Sequence, residues 1–221
     1  MRAMSAGRIF LLSPATCGGP RASLLTAPRS RLALAERLRS PDGATLGEVM
    51  TFLSGLYFRG KLAYARAFAR PPAHLPGVAG ALVITPDAGL APVDAPLTLA
   101  GLRAAARVDI SVTNRRYRDP LDATARLLRD AAGDGCEVVL LGSVATAKYV
   151  EPLSAVFGSR LAFPLEFVGR GDMSRGGLML RCVREGRELT YVPLDGLAPR
   201  HGPRPPRLGT RGAPLAAPAA G

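Results

Sequence analysis

Four consecutive apolar residues, Ile9, Phe10, Leu11 and Leu12, are cut off abruptly by Ser13-Pro14. A run this short and this uniformly apolar fits a strand buried on both faces, the kind found in parallel sheets covered by helices. Residues 81–85, closed by Pro86, and residues 137–141, closed by Gly142-Ser143, repeat the pattern. A fourth short strand is expected over 160–163.

Helical signals lie between these runs. Thr45-Leu46-Gly47-Glu48 has the form of a capping box, in which threonine accepts from the third amide and glutamate reaches back. The helix it opens places Leu46, Val49, Met50, Leu53, Leu56 and Tyr57 on one stripe, and Gly55 and Gly60 predict a break near 55–60. A second helix over 58–69 turns Leu62, Ala65 and Phe68 inward. It leaves Arg59, Lys61, Arg66 and Arg70 facing elsewhere, and Pro71-Pro72 ends it. Residues 14–28 read as a loop, and shorter helices are expected over 29–39 and 99–107. Asp119-Pro120 predicts a helix start and a helix over 120–132. Gly142-Ser143 leads directly into a helix over 144–157, with Pro152 as a kink. Residues 178–183 and 188–192 read as a hairpin around Glu185-Gly186. Strands alternating with helices imply right-handed crossovers. The expected fold is α/β, a three-layer sandwich with a mainly parallel sheet and a C-terminal β-hairpin. No internal repeat is present.

The 221 residues divide into one α/β domain, 1–196, and a Pro/Ala/Gly/Arg tail, 197–221, with too little to bury and so expected to be disordered. No apolar run approaches the roughly 18 residues of a membrane span. The run at Ile9 is too brief for a secretory signal. Cys17, Cys136 and Cys182 are widely spaced, and His74 and His201 are the only histidines, so no clustered set of metal ligands is present. A sparse, odd cysteine count suits a reducing compartment and predicts a cytoplasmic protein. No motif calls for a cofactor.

The formal charge is +12 and unevenly spread. Residues 1–70 carry 11 Lys/Arg against 3 Asp/Glu, and the tail carries four arginines and no acid. Residues 71–135 and 136–196 each balance seven against seven. Such asymmetry can mark a face for a polyanion, RNA or DNA. Arginine outnumbers lysine 27 to 2, however, which also fits a coding bias that raises charge without selecting a partner.

Ligands of open α/β sheets bind beyond the carboxyl ends of the strands. That rule selects Ser13, Thr16, Cys17 and Arg21 after the first strand, Asp87 after the second, and Gly142-Ser143 after the third, where free amides favour an anion. A denser candidate is Phe167-Val168-Gly169-Arg170-Gly171-Asp172-Met173-Ser174-Arg175-Gly176-Gly177. Its glycines permit an anion nest, and arginine forks suit phosphate. Arg170, Ser174 and Arg175 are the binding candidates, with Arg21. Asp172 is the candidate acid or base, and Cys17 a candidate nucleophile that lacks an adjacent histidine. The segment is neither a Walker A loop nor a dinucleotide GxGxxG. Tyr57, Phe58 and Tyr64 among Arg59, Lys61 and Arg66 can stack bases or simply pack the core.

Taken in order, Ser13-Pro14-Ala15-Thr16-Cys17-Gly18-Gly19-Pro20-Arg21, Gly55-Leu56-Tyr57, Thr85-Pro86-Asp87-Ala88-Gly89-Leu90-Ala91-Pro92, Pro96-Leu97-Thr98-Leu99 and Leu141-Gly142-Ser143, with Tyr149 beyond, resemble a known pattern. Over about residues 8–157 the chain resembles the uracil-DNA-glycosylase-like domain found in archaeosine synthase and in small bacterial relatives. The resemblance implies an α/β sandwich working on a nucleobase or nucleic acid. It carries no catalytic residue across, because the glycosylase water-activating and histidine motifs are absent. The expected function is nucleotide or nucleic-acid association, with base modification as the activity. The alternative is a non-catalytic interaction domain whose glycine-rich loop is structural.

Overall fold

The computed structural model describes residues 7–72, 79–194 and Gly202. His74, His201 and, apart from Gly202, the 197–221 tail lie outside the described residues. The elements run in the order β1 (Gly7–Leu12), α1 (Pro20–Thr26), α2 (Ala33–Arg39), β2 (Ala44–Thr45), α3 (Leu46–Ser54), α4 (Leu56–Phe68), β3 (Ala81–Thr85), β4 (Gly89–Pro92) and β5 (Pro96–Leu97). They continue with α5 (Leu99–Ala105), α6 (Arg115–Ala132), β6 (Cys136–Leu141), α7 (Ala147–Phe157), β7 (Leu161–Pro164), α8 (Asp172–Glu185) and β8 (Tyr191–Pro193).

The main sheet has the order β4-β3-β1-β6-β7-β8. β3, β1, β6 and β7 are parallel, with Leu11 paired to Leu82 on one side and Leu140 on the other. β4 and β8 close the two edges antiparallel. A two-stranded sheet, β2 with β5, lies apart. The apolar runs are the central strands because each side chain has a buried destination. Phe10, Leu12, Val83, Val139 and Leu141 pack under α1–α4 and α8. Ile9, Leu11, Leu82, Ile84, Val138 and Leu140 pack under α6 and α7. The result is the expected three-layer α/β sandwich. No described helix is long and apolar enough to cross a membrane.

The capping box forms as read. Glu48 N donates to Thr45 Oγ1 at 3.3 Å, and Thr45 N donates back to the Glu48 carboxylate at 3.0 Å. The expected break falls at Gly55, whose φ of 64° separates α3 from α4. Other boundaries differ. Residues 14–28 are not all loop, because Pro20 takes the first turn of α1. The third-strand helix begins at Ala147, not 144. α6 begins at Arg115, where the Asn114 side chain caps the Arg116 amide, so Pro120 lies inside the helix.

The largest correction concerns the C-terminal part. An antiparallel pair closes the sheet, but it joins β7 to β8, and residues 178–183 are helical. Leu178, Met179 and Cys182 are buried together on one side of α8. The second half of the glycine-rich run, from Asp172, is likewise the first turns of this helix. Gly176 meets α4, where a Cβ would stand 2.8 Å from Leu56 O, and a Cβ on Gly60 would stand 2.7 Å from Gly176 O. Both obstacles are backbone, so neither can rotate away. Gly176→Val is expected to destabilise the fold by about 1–3 kcal/mol through overpacking. A urea titration showing an unchanged midpoint would refute this account of the α4–α8 contact.

Candidate functional site

The connection leaving β1 runs over the α1–α4 face, whereas α6 and α7, which follow β3 and β6, cover the other face. Diverging connections open a crevice at the carboxyl end of the shared strand. A cleft of about 760 Å³ occupies that place. Its lining includes Ser13, Thr16 and Cys17 from the β1 loop, Tyr57 from α4, Pro86 after β3, Ser143, Lys148 and Tyr149 around the start of α7, and Asp172 at the start of α8. Arg107 and Asp109 add charge from the segment after α5. The volume lies within the range of small-molecule sites.

Behind Ser13, outside the cleft lining, lies a buried cation. Lys61 lies on α4 and is 1% exposed. Its ammonium position is fixed by Ser13, with Nζ 2.5 Å from the main-chain oxygen and 3.0 Å from Oγ. The Tyr57 and Phe58 rings lie 4.2 and 5.0 Å from Nζ. Burial pulls the Lys61 pKa down to about 7. The Asp172 carboxylate opposes that shift and the Arg175 guanidinium adds to it. The expectation that Lys61 faces away from the core is therefore corrected: it is buried and bonded to Ser13, which lines the cleft.

Tyr57 is 7% exposed, and its hydroxyl completes no hydrogen bond of full geometry among the described residues, although the Arg175 guanidinium lies near enough to act on it. Burial pushes its pKa up to about 12, against the nearby Arg175 charge. Burial also raises the Tyr149 phenol, so both tyrosines stay protonated donors at neutral pH. Gly142 explains how Ser13 fits: a Cβ there would come within 3.1 Å of Ser13 Oγ.

The residues expected from sequence divide into two groups. Ser13, Thr16, Cys17, Ser143 and Asp172 converge on the cleft. Gly142 packs beneath it, and Asp87, beyond the lining, is near enough for its carboxylate to raise the Cys17 pKa. The arginines do not converge. Arg21 donates to Phe52 O at 3.1 Å and lines a separate groove with Leu24, Gly55 and Arg59. Arg170 donates to Glu166 O and to Ser174 Oγ, which ties those two residues together outside the cleft lining. Arg175 donates to Phe167 O through Nε and Nη2, at 3.2 and 3.0 Å, and lies 3.6 Å from Asp172. These forks stitch α8 to the loop before it, so the expected phosphate clamp is a structural brace.

Cys17 is also corrected. Burial, with Asp87 adding to it, pushes its thiol up to about 11, and Sγ lies 3.7 Å from Ala15 O. A protonated thiol is a poor nucleophile. Asp172 lines the rim as an exposed carboxylate and suits hydrogen bonding to a ligand. The expected helix N-terminus is displaced from Ser143, since Thr146 is the N-cap of α7.

A signal for Lys61 was present in the composition. The chain holds two lysines among 27 arginines, and both belong to this region: Lys148 lines the cleft and Lys61 touches Ser13. Arginine cannot give up its proton at physiological pH, so a lysine retained against that bias points to amine chemistry or to a space that admits no guanidinium. Against known proteins, the chain matches no family model, no curated protein and no solved structure.

The lowered Lys61 pKa has a signed consequence. The unfolded chain keeps this proton up to pH 10.5, whereas the folded chain releases it near 7. The folded state thus binds fewer protons between those values, and stability rises with pH across that window. The burial penalty is full below pH 7. Lys61→Met removes it, so the variant's stability relative to the parent is greatest at pH 6 and falls by about 1 kcal/mol per pH unit above 7. Urea titrations at several pH values would test this. A constant difference from pH 6 to 9 would mean that Lys61 titrates normally.

Proposed function

We propose that the cleft over β1 binds a nucleotide, either free or as a single unit displaced from RNA or DNA, and that base modification is its setting. The observation that carries this reading is a cleft walled by Tyr57 and Tyr149, in which the buried Tyr57 hydroxyl completes no hydrogen bond of full geometry among the described residues. A buried hydroxyl left unpaired costs about 1–3 kcal/mol, and a ligand acceptor removes that cost. Two tyrosine side chains offer π-faces to a planar heterocycle. Ser13, Thr16, Ser143 and Asp172 supply donors and acceptors around its edge. Lys148 and Arg107 supply positive charge in the same lining, suited to a single phosphate rather than a long backbone. The resemblance to the glycosylase-like domain points to the same ligand class. The glycine-rich segment fits the alternative, a structural role, but that conclusion concerns α8 and leaves the cleft unexplained.

Calorimetric titration of the full chain with each of the four nucleoside monophosphates is the direct test. One or more is expected to bind one-to-one. Ser143→Phe, which fills the cleft, is expected to weaken that binding by roughly tenfold or more. The affinity is expected to depend weakly on salt between about 50 and about 200 mM, unlike binding that spans many phosphates. Absence of heat with every nucleotide and with short RNA and DNA would overturn the reading.

A further inference from the structure

We propose that Ser13 and Lys61 form a nucleophile and general-base pair, which gives this cleft an acyl-transfer or hydrolytic activity toward small esters or amides. The proposal goes beyond nucleotide binding and does not require it. Its geometric basis is the 3.0 Å approach of Lys61 Nζ to Ser13 Oγ, within hydrogen-bond reach for proton transfer. Ser13 is 5% exposed yet lines the cleft, so its hydroxyl is reachable only from the ligand side.

Several features organise the pair. Ser13 directly follows the central strand β1 and is held in place by its amide, which donates to Leu141 O at 3.2 Å. Gly142 leaves room for the Ser13 side chain. Lys61 Nζ donates to Ser13 O at 2.5 Å and to Ser13 Oγ at 3.0 Å, while the Ser13 hydroxyl donates to Leu141 O at 3.4 Å, so proton transfer requires the neutral amine and a turn of the hydroxyl toward Nζ. The groups that act electrostatically on Lys61 from α8 are Asp172, which favours the ammonium, and Arg175, which favours the amine. Burial outweighs both and brings the amine form into reach near neutral pH. An arginine at this position would remain charged and be unable to take a proton.

The step balances without a further reactant except water. Ser13 Oγ attacks the carbonyl carbon, and its proton passes to Lys61 Nζ. The bond from that carbon to the leaving alcohol or amine breaks, and the leaving group takes the proton from Lys61. Water then attacks the acyl-serine, Lys61 accepts a proton from it and returns one to Ser13 Oγ, and the carboxylic acid departs.

A fluorophosphonate reports on this pair directly. Ser13 Oγ forms a bond to phosphorus, fluoride leaves, and Lys61 takes the proton. The full chain would be incubated with the probe across pH 6–9 and followed by intact mass and peptide mapping. The expected result is one adduct, on Ser13, with a rate that rises through a single ionisation near pH 7 and then levels. Ser13→Ala abolishes it, and Lys61→Met slows it by roughly 10²- to 10⁴-fold, the usual contribution of a general base. No adduct at Ser13, an equal rate in a folded Lys61→Met, or a rate that simply follows hydroxide concentration would each overturn the proposal. The pH profile of the parent chain decides the matter even if Lys61→Met fails to fold. Labelling without nucleotide binding removes only the nucleotide reading, and nucleotide binding without labelling removes only the Ser13–Lys61 pair.

Discussion

The contact of α4 with α8 at Gly60 and Gly176 sets the geometry on which the cleft depends. Neither position has room for a Cβ, so the two helix backbones touch. Lys61 follows Gly60 directly, and Asp172 begins α8 one turn before Gly176. The close approach therefore brings a buried amine, its opposing carboxylate and the Arg175 brace around the end of β1. A longer separation of the helices would admit water to Lys61 and relax its pKa toward the ordinary value.

Burying an unpaired ammonium is costly, and proteins keep such groups where partners or function compensate. Here the compensation is partial. Ser13 supplies two oxygens and two aromatic rings lie close, but the Asp172 carboxylate stands at an exposed rim and leaves Lys61 shifted. The neighbouring Tyr57 hydroxyl completes no hydrogen bond of full geometry among the described residues. Lys61 and the Tyr57 ring lie close together at the end of β1, with Tyr57 in the cleft lining.

The α/β class was legible because Ile9–Leu12 and its two counterparts are too short and too apolar for anything but central strands. The Thr45–Glu48 cap and the break at Gly55 were legible because both rest on interactions within a few residues. α8 was not. Leu178, Leu180 and Cys182 alternate like a strand, and Gly171, Gly176 and Gly177 resemble a loop. What makes the segment helical is the α4 backbone pressed against Gly176, a contact with residues more than a hundred positions earlier. The same contact turned the expected anion nest into a packing surface and its arginines into braces.

By itself, then, the sequence determined the layered α/β fold, its carboxyl-end loops and four residues that line the cleft: Ser13, Thr16, Ser143 and Asp172. These follow from local periodicity and from the rule that strand ends converge. Only the tertiary structure decided that Lys61 points inward rather than into solvent, and that the Cys17 thiol is buried with its pKa raised. Both outcomes are matters of burial and of charge at a distance, set by which helix covers which strand end. A linear pattern of residues does not encode that depth. The rarity of lysine in this chain is its one visible trace.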